Sequence, residues 1–72
     1  MMKHQQLIQF GTNIRSLRET KNISQEKLAE LAGMHRTYLG GIERGERNLS
    51  LLNMLKLSKA LDVPLTELVK GL

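Results

Sequence analysis

Three consecutive side chains, Arg36, Thr37 and Tyr38, carry groups that suit the reading of nucleic-acid bases. A guanidinium group can form two hydrogen bonds with guanine, and the methyl group of threonine can contact that of thymine. A helix that buries Leu39 and Ile42 would turn Thr37 outward, because each residue rotates the helix by about 100°. Arg36 would then lie at one edge of the exposed face, and Tyr38 on its flank. The three residues are therefore predicted to contact base edges.

Further polar residues border this face and suit contacts to the sugar-phosphate backbone. Gln25 is expected to open the preceding helix, where its amide and the free backbone N–H groups can hold a phosphate. His35, Arg44 and Arg47 are predicted to make backbone or secondary contacts. The alternative interpretation is a plainly solvated helix face. The spacing of two helices around a turn argues against that alternative.

Gly40 and Gly41 lie in the middle of the same helix. Two glycines there should destabilise it by roughly 1 to 2 kcal/mol relative to alanine. Both would point away from Leu39 and Ile42, so crowding in the core does not explain them. Close approach of the helix to DNA is the preferred explanation, and tight packing of another helix is the alternative.

Two short helices joined by a tight turn are expected to position these residues. Ser24 is a favourable N-cap for a first helix over Gln25–Ala32, which Gly33 should end. Its inward side chains are predicted to be Leu28, Leu31 and Ala32. His35 is the candidate N-cap of the second helix, predicted from Arg36 to Arg44 and ending at Gly45.

Apolar residues at helical spacing predict three more helices. The first spans Gln5 to Lys21, and Gly11 within it indicates a closely packed neighbour. Another follows the candidate N-cap Ser50, from Leu51 to about Leu61. Its apolar side is predicted to be Leu51, Met54, Leu55, Ala60 and Leu61. The last helix is predicted over about Leu65 to Lys70.

The two central helices resemble the helix-turn-helix of the phage repressor and Cro type, also called the xenobiotic-response-element family. The residues that carry the resemblance are Ser24, Gln25, Leu28, Ala29, Gly33, Leu39, Ile42, Glu43 and Gly45. Residues 35–39, 41–44 and 47–50 are most similar to controller proteins of bacterial restriction-modification systems. The resemblance implies an all-α, five-helix, lambda-repressor-like domain. It also implies an ion pair between Arg18 and Glu43 that holds the first helix to the end of the recognition helix.

Length and composition agree with one small DNA-binding domain over residues 1–72, with its helix-turn-helix at about 24–45. The chain has 72 residues, no cysteine and a net charge of +4. A disulfide or thiolate metal site is excluded, no cofactor is expected, and with two histidines a structural zinc is disfavoured. The basic charge favours a polyanionic partner, although a ribosomal or membrane-surface protein would share it. Without a long apolar segment or signal peptide, the protein is expected in the cytoplasm, associated with the nucleoid and not with a membrane.

A homodimer is expected because one recognition helix offers few base-reading side chains and the core is small. The C-terminal segment, about residues 64–72, is too apolar for a solvated helix and is the predicted dimerisation helix. The predicted interface residues are Leu52, Leu65, Leu68, Val69 and Leu72. Two copies would bind a pseudo-palindromic DNA site with half-sites about one turn apart.

These features together predict a transcriptional regulator that binds double-stranded DNA, with RNA polymerase as a further candidate partner. Within the family, a controller protein is preferred to a phage-type repressor or a solitary xenobiotic-type regulator. A protein-interaction module of the antitoxin kind would use the same fold without salt-dependent DNA affinity. An enzyme is disfavoured because the Ser, His and Asp residues lie on separate small helices without a cleft.

Overall fold

The computed structural model describes residues 4–72 and consists, over that range, of five α-helices without strands. They are α1 (Gln5–Thr20), α2 (Gln25–Ala32), α3 (Arg36–Glu43), α4 (Leu51–Leu61) and α5 (Leu65–Leu68). The predicted all-α, five-helix fold is confirmed. In the described range no helix is both long and apolar enough to cross a membrane.

Local capping groups fix the ends of the central helices. Ser24 Oγ accepts a hydrogen bond from the N–H of Lys27 at 3.0 Å, and Ser50 Oγ accepts one from the N–H of Asn53 at 3.2 Å. Gly33 takes the left-handed conformation, with φ 68°, and closes α2. These side-chain and backbone interactions satisfy groups that a helix end leaves unpaired. The predicted N-caps and the glycine stop are therefore confirmed.

One apolar core lies at the centre of the five helices. Its buried members are Phe10, Ile14, Leu28, Ala29, Ala32, Leu39, Ile42, Leu57, Leu61 and Leu68. Helix α1 packs against α3, and α2 packs against both α3 and α4. This packing fixes the rotation of α3 about its own axis, because Leu39 and Ile42 must remain inside.

Three leucines that were predicted to face inward lie on the surface. Leu31 is 51% exposed, and Leu51 and Leu55 are also exposed. Leu57, which was not assigned to the apolar side of α4, is fully buried together with Leu61. These two residues are one helical turn apart, so burying both of them turns the remaining leucines of α4 toward the solvent.

Gly11 allows α1 to approach the end of α3, which is the closely packed neighbour that the sequence predicted without identifying it. A Cβ atom at this position would lie 2.7 Å from the backbone oxygen of Glu43, and it would also collide with the carbonyl oxygen of Ile42. Neither atom belongs to a side chain that can move away. Only glycine therefore permits this contact between the two backbones.

Helix α5 is shorter than predicted and ends at Leu68 instead of Lys70. The side-chain amide of Asn13, in α1, donates hydrogen bonds to the carbonyl oxygens of Leu68 at 2.9 Å and Lys70 at 2.7 Å. Gln9 donates in turn to Asn13 Oδ1 at 2.9 Å. The amide of Asn13 thus takes the place of the backbone N–H donors that a longer helix would supply to these two carbonyl groups.

Leu68 was predicted to belong to a dimer interface, and the structure corrects this assignment. Its side chain is fully buried within the core of a single copy. Leu65 and Val69 also pack on the core but keep part of their surface exposed. Leu52 and Leu72 are exposed, at 70% and 50%.

Candidate DNA-binding surface

The N-terminal turn of α3 presents the predicted base-reading residues. His35 caps the helix, its Nδ1 accepting a hydrogen bond from the N–H of Thr37 at 3.0 Å. Arg36 and Thr37 are exposed, whereas Leu39 and Ile42 are buried. The predicted rotation of the helix is therefore confirmed, and the first two side chains of α3 are exposed to solvent.

Arg36 has an acidic neighbour at the start of α2. Its Nη1 lies 3.4 Å from Glu26 Oε2, and the two side chains are 63% and 77% exposed. Exposed pairs of this kind are worth about 0 to 1 kcal/mol, so DNA can replace Glu26 at little cost. This contact of Glu26 was not predicted from the sequence, because it joins residues on two different helices.

Tyr38 has two partners within the protein. Its hydroxyl oxygen accepts a hydrogen bond from the amide of Asn53, in α4, at 3.3 Å. Its ring lies 5.7 Å from Arg47 Cζ, measured to the ring centroid, which is within the range of a cation–π interaction. Tyr38 is thus half-buried between α3 and α4, and nothing in the sequence signalled the role of Asn53.

Gly40 and Gly41 lie on the side of α3 away from Leu39 and Ile42, as predicted, but side chains of the protein itself cover them. Both are buried. A Cβ atom on Gly40 would lie 3.1 Å from Arg44 Nη1, and one on Gly41 would lie 3.1 Å from Arg47 Cγ. The long side chains of the following loop fold back over the helix and cover its glycines.

Gln25 lies beside Gly40, but its side chain already has a protein partner. The amide nitrogen donates to Glu43 Oε1 at 3.1 Å. Ser24 accepts from the N–H of Lys27, which leaves the earlier N–H groups of α2 at the helix N-terminus, where a phosphate is favoured. A contact from Gln25 to DNA would therefore involve its backbone more readily than its amide.

The predicted pair of Arg18 and Glu43 is present beneath this surface. Nε and Nη2 of Arg18 lie 2.8 and 3.2 Å from the two carboxylate oxygens, and Nη1 donates to the carbonyl of Ile23 at 3.1 Å. The two side chains are only 14% and 4% exposed. The hydrogen bond to Glu43 is the main reason that the pKa of Arg18 is raised above its ordinary value. The pair fixes α1, and through Gln25 also α2, to the end of α3.

The side chains around α3 thus form a basic surface with few apolar groups. Arg36 lies at one end, Arg44 and Arg47 lie over the glycines, and Gln25 and His35 border them. Arg44 is held by Glu46, at 3.2 Å between Nη2 and Oε1, in an exposed ion pair. Guanidinium groups arranged along one helix suit phosphate and base contacts in a groove.

Comparisons with known proteins agree with this geometry. The profile of the helix-turn-helix family matches residues 14–68. The control protein C.SmaI of Serratia marcescens is 49% identical over 60 residues, which cover 83% of this chain and 71% of the relative. The control protein C.BamHI of Bacillus amyloliquefaciens is 56% identical over 55 residues, which cover 75% and 68%.

A solved structure agrees with these sequence comparisons. The restriction-modification controller protein C.AhdI from Aeromonas hydrophila has a TM-score of 0.88 and 52% identity, covering 90% of this chain and 98% of its own. The family match and these relatives show a DNA-binding transcriptional regulator of the helix-turn-helix class. The chain belongs to the helix-turn-helix family and, within it, to the restriction-modification controller proteins.

Proposed function

We propose that this protein binds a pseudo-palindromic operator as a homodimer and thereby controls the genes of a restriction-modification system. The observation that carries the proposal is the exposed first turn of α3, where Arg36 and Thr37 project from a helix fixed by buried leucine and isoleucine. Selection of bound sites from random duplex DNA tests it directly. We expect two related half-sites about one turn of DNA apart, and recovery of unrelated sequences would contradict the proposal.

The residues divide into two roles in this proposal. Arg36 and Thr37 read base edges, and Tyr38 contacts the edge of the site or the sugar-phosphate backbone. Phosphate and secondary contacts come from Gln25, His35, Arg44 and Arg47. Action in the cytoplasm, on nucleoid DNA, and a contact to RNA polymerase are part of the same proposal.

Replacement of Arg36 by alanine should weaken operator binding by about 1 to 3 kcal/mol per half-site and relax selectivity at one base position. The reason is the loss of a bidentate guanine contact. Binding titrations on the selected operator and on a scrambled duplex measure both effects. Arg15→Ala is the matched control, because Arg15 is an exposed arginine on α1 with its own acidic partner, Glu19. An equal loss on both duplexes would make Arg36 a phosphate contact only.

The proposed dimer is supported by exposed apolar side chains on α4 and at the C-terminal end of the chain. Leu52 and Leu72 are exposed, and Leu65 and Val69 are partly exposed. Association would remove this apolar surface from water, at about 25 cal/mol per Å². A short chain with a small core gains stability in the same step.

Leu52→Glu should weaken self-association without unfolding the protein, because a charge at this exposed site is costly only when a partner covers it. Sedimentation at micromolar concentrations measures the dimer, and circular dichroism checks the fold. Ser16→Glu adds the same charge at an exposed position of α1 and tests whether any added negative charge has the same effect. A wild-type protein that is strictly monomeric yet binds one half-site with nanomolar affinity would contradict the proposed dimer.

A further inference from the structure

We propose that Gly41 is a positioning residue for Arg47. The missing side chain leaves a channel across α3 in which the arginine stem lies, and this channel aims the guanidinium group at the DNA. The inference deepens the proposed function, and it rests on Arg47 being a DNA contact there.

The stem of Arg47 crosses the backbone of α3 at Gly41. A Cβ atom on Gly41 would lie 3.1 Å from Cγ, 3.7 Å from Cδ and 3.1 Å from Nε of this arginine. Three consecutive atoms of one side chain therefore lie close against the position that a Cβ atom would take. Even a methyl group would press on the stem near its attachment to the backbone.

The far end of Arg47 is held at a second point. Its guanidinium carbon lies 5.7 Å from the ring centroid of Tyr38, three residues before Gly41 on the same helix. The hydroxyl of Tyr38 is in turn held by Asn53 at 3.3 Å. With the stem in the channel and the guanidinium beside the ring, Arg47 has far fewer conformations to lose on binding, although its side chain remains exposed.

The neighbouring Gly40 offers a matched control. The atom nearest to a Cβ there is Arg44 Nη1, at 3.1 Å, followed by Gln25 Oε1 at 3.5 Å. Nη1 is the tip of a flexible side chain and can swing aside. Cγ of Arg47 lies near the backbone, so a shift of a few tenths of an ångström there also moves the rest of the side chain. Alanine at either position brings the same gain in helix propensity, so the two variants differ mainly in what they displace.

Operator titrations at several salt concentrations test the inference on Gly41→Ala, Gly40→Ala, Arg47→Ala and the double variant Gly41→Ala/Arg47→Ala. We expect Arg47→Ala to weaken binding about tenfold and to lower the log–log salt slope by about one per copy, as for one phosphate contact. Gly41→Ala should reproduce most of that loss. Gly40→Ala should lose clearly less affinity than Gly41→Ala, because only the flexible tip of Arg44 has to move. The double variant should bind no more weakly than Arg47→Ala alone.

A second measurement needs no DNA and is insensitive to a merely structural role. In the free protein, the ring current of Tyr38 should shift the side-chain proton resonances of Arg47. Gly41→Ala should move these resonances toward values typical of an unconstrained arginine, while Gly40→Ala should leave them in place.

Several results would overturn the inference. The first is a Gly41→Ala protein that keeps both the wild-type Arg47 resonances and the wild-type operator affinity. Losses that add in the double variant would assign Gly41 to close approach of the helix backbone to DNA instead. An Arg47→Ala protein with full operator affinity would show that Arg47 does not contact DNA, so Gly41 could not position it for that contact. Failure of the proposed function would be visible in the wild-type protein itself, which would then bind the operator and a scrambled duplex equally well. In that case the inference about Gly41 fails too.

Discussion

Replacing Arg18 by alanine is expected to lower the free energy of unfolding by about 3 to 5 kcal/mol, because it leaves a buried carboxylate without its main partner. The side chain of Glu43 is 4% exposed and accepts two hydrogen bonds from Arg18. Its remaining side-chain donor is the amide of Gln25. Urea denaturation followed by circular dichroism measures the loss.

Arg15→Ala is the control for this experiment. Arg15 lies on the same helix, but its ion pair with Glu19 is exposed and 3.5 Å long. Exposed pairs contribute about 0 to 1 kcal/mol, so this variant should stay close to the wild type. Equal losses for both variants, or a loss below 1 kcal/mol for Arg18→Ala, would contradict the burial of Glu43 as the cause.

Leu68→Ala should destabilise the fold by about 2 to 5 kcal/mol, the usual cost of emptying a fully buried leucine site. Leu68 is completely enclosed although it lies on a helix of four residues. A small domain has little stability to lose, so partial unfolding at room temperature is expected. Denaturant titrations at two protein concentrations tenfold apart separate loss of the fold from loss of a dimer.

Leu72→Ala is the comparison, because Leu72 belongs to the same segment and is 50% exposed. The denaturation midpoint of Leu72→Ala should change much less than that of Leu68→Ala. The remaining change should depend on protein concentration, because Leu72 is proposed to contact the second copy. A Leu68→Ala protein with wild-type stability and weakened association would restore Leu68 to the dimer interface.

Local rules predicted much of the fold. Ser24, His35 and Ser50 cap the helices that they were expected to cap, since a cap depends on a side chain and the next few backbone groups. Gly33 ends α2 for a similarly local reason. The Arg18–Glu43 pair joins distant parts of the chain, and it was foreseen only through the family resemblance.

The rotation of α4 could not be predicted in the same way. Leucines occur around most of this helix, so hydrophobic periodicity does not select one face. Packing against α2 and α5 makes the choice, burying Leu57 and exposing Leu51 and Leu55. The burial of Gly41 was also missed, because the path of a long arginine side chain depends on tertiary neighbours such as Tyr38.

The hydrogen bonds from Asn13 have a consequence for self-association. A helix of four residues is too short to persist by itself. The order of α5 therefore depends on the buried Leu68 and on the Asn13 amide, which binds the carbonyl groups of Leu68 and Lys70 at the end of the helix. Local opening of α5 would release Leu65 and Val69 together. The free energy of this opening depends partly on Asn13, which belongs to α1. A substitution near the beginning of the chain can therefore change how tightly two copies associate without touching the surface where they meet.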